Sequence, residues 1–242
     1  MTYLIVCAVA FLASGLTFFS GFGLGTLLLP AFALFFAIER AVALTAVVHF
    51  LNGLFKLGLV WRYIDWGIVL RFGVLAIAGA FAGAWLLLRL SDAQPLWTYS
   101  LFGHTREVAL AKLVVGILLL LFATAEISPA FRRISFPPHY LPLGGLLSGF
   151  FGGLAGMQGA LRSAFLVKAG LAKEGYVATG AAIAFMIDVS RLSVYAQLLL
   201  EHRAELDYGL LSAAVICALF GATLGNQYLR KATMGGIQRL VA

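Results

Sequence analysis

Apolar residues fill seven stretches of the chain: 3–38, 41–61, 66–90, 108–125, 141–172, 175–200 and 207–229. Within each, they run continuously instead of alternating with polar ones, a pattern that selects helices over β-strands. Most stretches are long enough to cross a hydrocarbon core of about 30 Å, which takes about 20 helical residues. As a single helix, stretch 3–38 would measure about 54 Å, too long for one span. It is expected to break near Ser20-Gly21-Phe22-Gly23 and return, and stretch 141–172 is expected to break near Gly152-Gly153 to Gly156.

The few polar residues sharpen this reading. The chain is 62% hydrophobic and only 11% charged, whereas a soluble domain carries about 25% charged residues. Mean hydropathy is +0.99. So few charges cannot make a water-facing surface, so the fold class is all-α: a polytopic helical membrane protein. The net charge of +7 is then read as loop Lys and Arg that set orientation, and no nucleic acid partner is expected. Cys7 and Cys217 lie in different apolar stretches and suggest no disulfide framework. No Lys or Arg precedes Arg40, so the charged region of a secretory signal is missing.

The chain also resembles itself. Ser14-Gly15 matches Ser148-Gly149 at an offset of 134; Gly25, Leu27, Thr45 and Trp61 then fall on Gly159, Leu161, Thr179 and Tyr195. Asp65-Trp66-Gly67 matches Asp207-Tyr208-Gly209 at an offset of 142, which implies an eight-residue insertion around Glu201–Glu205. Gly79 to Gly83 match Gly221 to Gly225 at the same offset. Two homologous repeats are expected, each opening with a Gly-broken helical hairpin. The first covers 1–125, including an extra span at 108–125; 126–140 links it to the second, 141–242. With each hairpin counted as two passes, the first repeat makes five, so the second is inverted. Arg62, Arg71, Arg132, Arg133, Lys168, Lys173, Arg230, Lys231 and Arg239 then share one side of the membrane. Arg40, Arg89, Arg106, Lys112 and Arg203 share the other. The richer side should be cytoplasmic, with the N-terminus outside and the C-terminus inside.

Duplicated membrane halves suit a transporter, whose site lies where Gly/Pro-interrupted segments meet. Three polar groups are the candidates. Arg162 lies three residues past Gly159, in the first turn after the second break. A guanidinium at such depth costs roughly 2.5–3.5 kcal/mol on insertion scales. With the positive end of its helix it makes an anion site, which Gln158 and Ser163 can join. The alternative is a structural Arg162 bonding carbonyls freed by the break. The second group, Thr45, His49, Asn52 and Lys56, forms one helical stripe. Here the alternatives are snorkelling for Lys56, near Trp61, and plain packing for His49. The third is Thr179, Asp188, Ser190, Arg191 and Tyr195. Asp188 is the carboxylate well inside a span and a candidate for proton coupling with Arg191; the alternative is a charge-neutralising pair. Glu126 sits at a span end and should be interfacial. Gly23, Gly25, Gly156 and Gly159 would let backbone come close to the anion, and Thr45 and Thr179 complete the candidate substrate-binding set. Residues 91–107 read as an interfacial loop with aromatic anchors.

Gly21-Phe22-Gly23-Leu24-Gly25 followed by Pro30, and Gly153 to Gly159 in the second half, resemble the glycine-rich motifs of the TauE/SafE sulfite exporter family. The second copy departs from the pattern. Gln158 and Arg162 interrupt it, and Ala164 stands where Pro30 stands. The resemblance implies a carrier of small sulfur-containing anions such as sulfite, sulfoacetate or related organosulfonates, in a bacterial inner membrane. An anion channel, or a carrier for another small organic or inorganic anion, is the alternative. No H-E-x-x-H is present and His49, His104, His139 and His202 are scattered, so neither an enzyme nor a metal or other cofactor is expected. A homo-oligomer is left open.

Overall fold

The computed structural model describes residues 1–20, 23–101, 104–128 and 134–231. Gly21 and Phe22 of the first break, and Arg132, Arg133 and Arg239 of the loop charges, lie outside the described residues. The helices are α1 (Thr2–Ser20), α2 (Leu24–Ala33), α3 (Ile38–Val60), α4 (Trp66–Ser91), α5 (Leu110–Ile127), α6 (Leu141–Ala155), α7 (Gly159–Leu166), α8 (Lys173–Glu201) and α9 (Tyr208–Lys231). Among the described residues four segments are long and apolar enough to span a membrane: Ile38–Tyr63, Trp66–Ser91, Lys173–Glu201 and Tyr208–Gln227. The all-α membrane fold stands. In 91–107 the expected loop is instead a short antiparallel hairpin, β1 (Trp97–Leu101) and β2 (His104–Val108), with Trp97 opposite Val108. Trp, Tyr, Thr and Val suit a pleated surface.

The succession of helix, break, short helix and two long helices occurs twice, from α1 to α4 and from α6 to α9. The second long helix starts alike in both halves. Asp65 accepts the Ile68 N–H at 3.0 Å, and Asp207 accepts the Leu210 N–H at 2.9 Å. Each carboxylate caps helical N–H groups that have no partner of their own. Asp207 also accepts the Tyr3 hydroxyl at 2.7 Å. The Leu210 N–H and Tyr3 hydroxyl hold its carboxyl below the usual carboxylate range.

Contacts along the helices give their directions. α3 and α8 run antiparallel, since Phe50 stacks on Phe185 while Tyr63 lies by Gly175. α1 runs parallel to α9, and α4 parallel to α6. Gly15 faces Gly221, whereas Tyr3 lies by Gly209; Gly145, Gly149 and Gly153 face Phe72, Ala76 and Ala80 in order. A Cβ on any of those three glycines would overlap the opposing carbonyl. In lipid, small residues let helices gain dispersion contact by close approach. Gly152 and Gly153 are inside α6, and within the expected stretch the break falls at its end, at Gly156, where φ is 77°.

The second legs of the hairpins are short. α2 and α7 have 10 and 8 residues, about 15 and 12 Å at 1.5 Å per residue, half of a hydrocarbon core. α7 folds back beside the start of α6, so that Phe165 packs on Gly144 and the Phe136 N–H reaches the Ala164 carbonyl at 3.1 Å. The α6–α7 hairpin thus enters and leaves by one end of the bundle. That end also holds the close of α3 and the start of α8. Tyr3, Arg40, Glu205 and Asp207 meet at the other end, through the Arg40–Glu205 ion pair and the Tyr3–Asp207 bond. Each end has its own buried apolar cluster, one around Val6, Leu44 and Leu87, the other around Val60, Leu141 and Tyr176. Aromatic side chains stand exposed at both ends, including Trp61 and Trp66 at one and Trp97 and Tyr208 at the other, as a membrane interface favours.

Candidate functional site

The two breaks meet between these apolar ends. Gly25, in the first turn of α2, sits against the Gly156 carbonyl, where a Cβ would overlap the oxygen. Gly23 adopts φ 99° just before α2. Positive φ is open to glycine at no steric cost. Gly159, the sequence counterpart of Gly25, opens α7 and is buried.

A broken helix leaves carbonyls that must find donors. The Phe151 and Gly152 carbonyls receive the N–H groups of Met157 and Gly156 at 3.2 and 2.9 Å. Arg191 Nη1 adds a bond to the Gly152 carbonyl at 3.2 Å, and the Tyr195 hydroxyl donates to the Gly153 carbonyl. Ser148 Oγ donates to the Gln158 carbonyl at 2.8 Å, holding the turn against α6. The clamp on freed carbonyls is therefore built from α8 by Arg191 and Tyr195.

Arg162 is 3% exposed and points back at the turn, with Nη1 3.4 Å from Gln158 Oε1. Gln158 Nε2 in turn donates to Asp188 Oδ1 at 3.2 Å. Asp188, midway along α8, is fully buried. Its Oδ1 also receives Arg191 Nε at 3.0 Å, with Nη2 at 2.8 Å, and its Oδ2 lies 2.6 Å from His49 Nδ1 on α3. Gln158, Arg162, Asp188, Arg191 and His49 thus form one hydrogen-bonded chain across α7, α8 and α3. Lys56, two turns beyond His49, is near enough for its charge to act on Arg162. Ser163 shares a hydrogen bond with Tyr176 of α8, whose hydroxyl also feels Arg162.

Other expected residues hold neighbouring places. Asn52 Oδ1 receives Ser14 Oγ of α1 at 2.9 Å. Thr179 accepts the Asp65 N–H at 3.0 Å, which ties α8 to the link between α3 and α4. Thr45 is 1% exposed, and among the described residues its hydroxyl has no hydrogen-bond partner. Ser190 bonds the Met186 carbonyl of its own helix at 2.8 Å. Glu126 is half-buried and receives Thr26 Oγ1 at 3.1 Å. Tyr176 was not singled out from the sequence, although it precedes Thr179 by three positions and so shares its face. Ser14 and Ser148 were visible only as matching positions.

The charge balance is one-sided. Arg162 and Arg191 bring two formal positive charges to this centre and Asp188 brings one negative, with Lys56 further along α3. Charged groups at membrane depth line pathways for ions or substrates, or pair with one another. Here Asp188 pairs with Arg191 directly and meets Arg162 through Gln158.

Fold and centre define a polytopic helical membrane protein with a cation-rich polar core. The family model described as Sulfite exporter TauE/SafE matches residues 6–242. The chain belongs to the TauE/SafE family of membrane transporters, as the glycine motifs had suggested. No curated protein and no solved structure matches it.

Proposed function

We propose that this transporter is a secondary carrier of small sulfur-containing anions, sulfite or organosulfonates such as sulfoacetate, acting by alternating access. The observation that carries this reading is the excess of guanidinium over carboxylate at the buried centre, Arg162 and Arg191 against Asp188. A desolvated anion supplies the missing negative charge, and charge-assisted bonds to Arg162 reward it. Gln158, Ser163, His49, Asn52, Lys56, Thr45 and Thr179 line or support the path, and Gly23, Gly25, Gly156 and Gly159 let the two break segments close around it. Asp188 and Arg191 form the coupling pair.

Residues 1–125 and 141–242 act as inverted repeats joined by 126–140. The antiparallel course of α3 and α8 supports this, as does the parallel course of both exchanged pairs, α1 with α9 and α4 with α6. Inversion about an axis in the membrane plane requires those directions. The N-terminus is outside and the C-terminus cytoplasmic in a bacterial inner membrane, supported by the Lys and Arg loop count.

The test is calorimetric binding of sulfite, thiosulfate, sulfoacetate, taurine, acetate and phosphate to the purified protein. Sulfite or a sulfonate should bind best. Equal or tighter binding of acetate or phosphate would overturn the sulfur assignment.

A further inference from the structure

We propose that His49 is the proton-carrying member of this site: an anion arriving at Arg162 draws a proton from water onto His49 Nε2, and anion and proton cross together. The inference rests on the anion reading above and names the coupled ion.

The geometry assigns the ring nitrogens. Asp188 Oδ2 lies 2.6 Å from His49 Nδ1, and Asp188 Oδ1 already receives donors from Arg191 and Gln158. A carboxylate so surrounded is an acceptor, so Nδ1 carries the hydrogen. In the neutral ring the lone pair then lies on Nε2. Access separates the two candidates for a proton. The His49 side chain is 13% exposed and that of Asp188 is 0% exposed. The ring edge is the more accessible of the two, whereas the carboxylate is enclosed by three donors. Asp188 is thus the fixed counter-ion and His49 the exchangeable site. Protonation forms one N–H bond at Nε2 and breaks one O–H bond of the hydronium that delivers the proton; Asp188 stays ionised throughout.

The link to the anion is electrostatic and short. Arg162 reaches His49 through Gln158 and Asp188, in bonds of 3.4, 3.2 and 2.6 Å. The charges acting on His49 are those of Asp188 and Arg191 on α8 and Arg162 on α7, with Lys56 further along α3 itself. Of the other helices packed on α3, α2 has no titratable side chain. Glu126 of α5 is bonded to Thr26, and Cys217 of α9 faces Cys7. With the centre empty, Arg162 and Arg191 oppose a further positive charge on the ring, and Asp188 alone favours it. An anion beside Arg162 reverses that balance and favours the imidazolium. Linkage then requires the proton to bind with the anion and to leave with it. His49 and Asp188 also sit on helices from opposite halves, so a proton there strengthens the contact between moving parts only while cargo is bound.

The experiment is calorimetric titration of sulfoacetate into purified protein near neutral pH, in buffers of different ionisation enthalpy. Sulfoacetate is fully ionised there and brings no proton of its own. The wild type should take up close to one proton per anion, and His49→Gln should bind more weakly, with uptake abolished. Uptake that is absent in the wild type, or unchanged in His49→Gln, overturns the inference and leaves the anion reading standing. Failure of sulfite and every sulfonate to bind the wild type would overturn both. Should His49→Gln not fold, wild-type proteoliposomes containing a pH dye serve instead. An inward sulfoacetate gradient should acidify the lumen, and a constant lumenal pH would refute proton coupling.

Discussion

Arg191 Nη1 lies 3.2 Å from the Gly152 carbonyl, in the last turn of α6, which also accepts the Gly156 N–H. That bond gives the structural task at the break to an arginine on another helix. Arg162, on the break itself, is held to Gln158 through a contact of 3.4 Å. The two buried arginines therefore differ in role, and the first prediction separates them.

Arg162→Gln should fold and lose affinity for the best anion by tenfold to a hundredfold, about 1.5–3 kcal/mol, the scale of one charge-assisted hydrogen bond. Arg162→Lys should recover only part, because an ammonium lacks the planar fork that grips two oxygens. Calorimetry beside thermal stability measures both. Normal binding by Arg162→Gln would move the site to His49, Asn52 and Lys56.

Arg191→Gln should instead lower stability. It leaves Asp188 with less compensation and takes the second donor from the Gly152 carbonyl, and breaking a buried pair costs about 3–5 kcal/mol. The double variant Asp188→Asn with Arg191→Gln should be less destabilised than the sum of the singles, since paired sites are not additive. Additive losses in denaturation midpoint would deny the pairing its energetic weight.

Asp188→Asn should abolish gradient-driven accumulation in vesicles but retain exchange of labelled for unlabelled anion, because the amide keeps the shape and loses the charge that orders His49 and Arg191. Unchanged accumulation would remove Asp188 from coupling.

Gly25→Ala should reduce stability by roughly 1–3 kcal/mol, the usual cost of overpacking, since its Cβ would overlap the Gly156 carbonyl. Gly116→Ala on α5 is the control. A Cβ there has no atom within 4 Å, and its thermal midpoint should match the wild type. Equal midpoints for both variants would mean the break segments are not in contact.

Single cysteines at 62, 168 and 231, in a background lacking Cys7 and Cys217, should react with an impermeant label from one side of the membrane. Those at 40 and 205 should react from the other. Labelling of 62 and 40 from the same side would contradict the two-ended arrangement.

Some of this was legible in the sequence because it depends on solvent and on local chemistry. Continuous apolar stretches with few charges admit only helices in lipid, so the spans and the fold class follow from composition. Asp65 and Asp207 mark helix starts by themselves, since a cap acts within three residues. The His49 and Lys56 stripe follows from helical spacing. The exact position of the second break did not follow: glycine occurs at 152, 153 and 156, and only packing of Gly152 on Gln158 and Ile187, and of Gly153 on Ala80 of α4, reserves the first two for close approach. Nor could sequence say which arginine clamps the carbonyls, because Gly152 and Arg191 are 39 residues apart. His49 and Asp188 are separated by 139 residues. Their contact exists only because α3 and α8 pass each other antiparallel at mid-depth, and no local rule encodes the partner of a charge once helices from opposite halves come together.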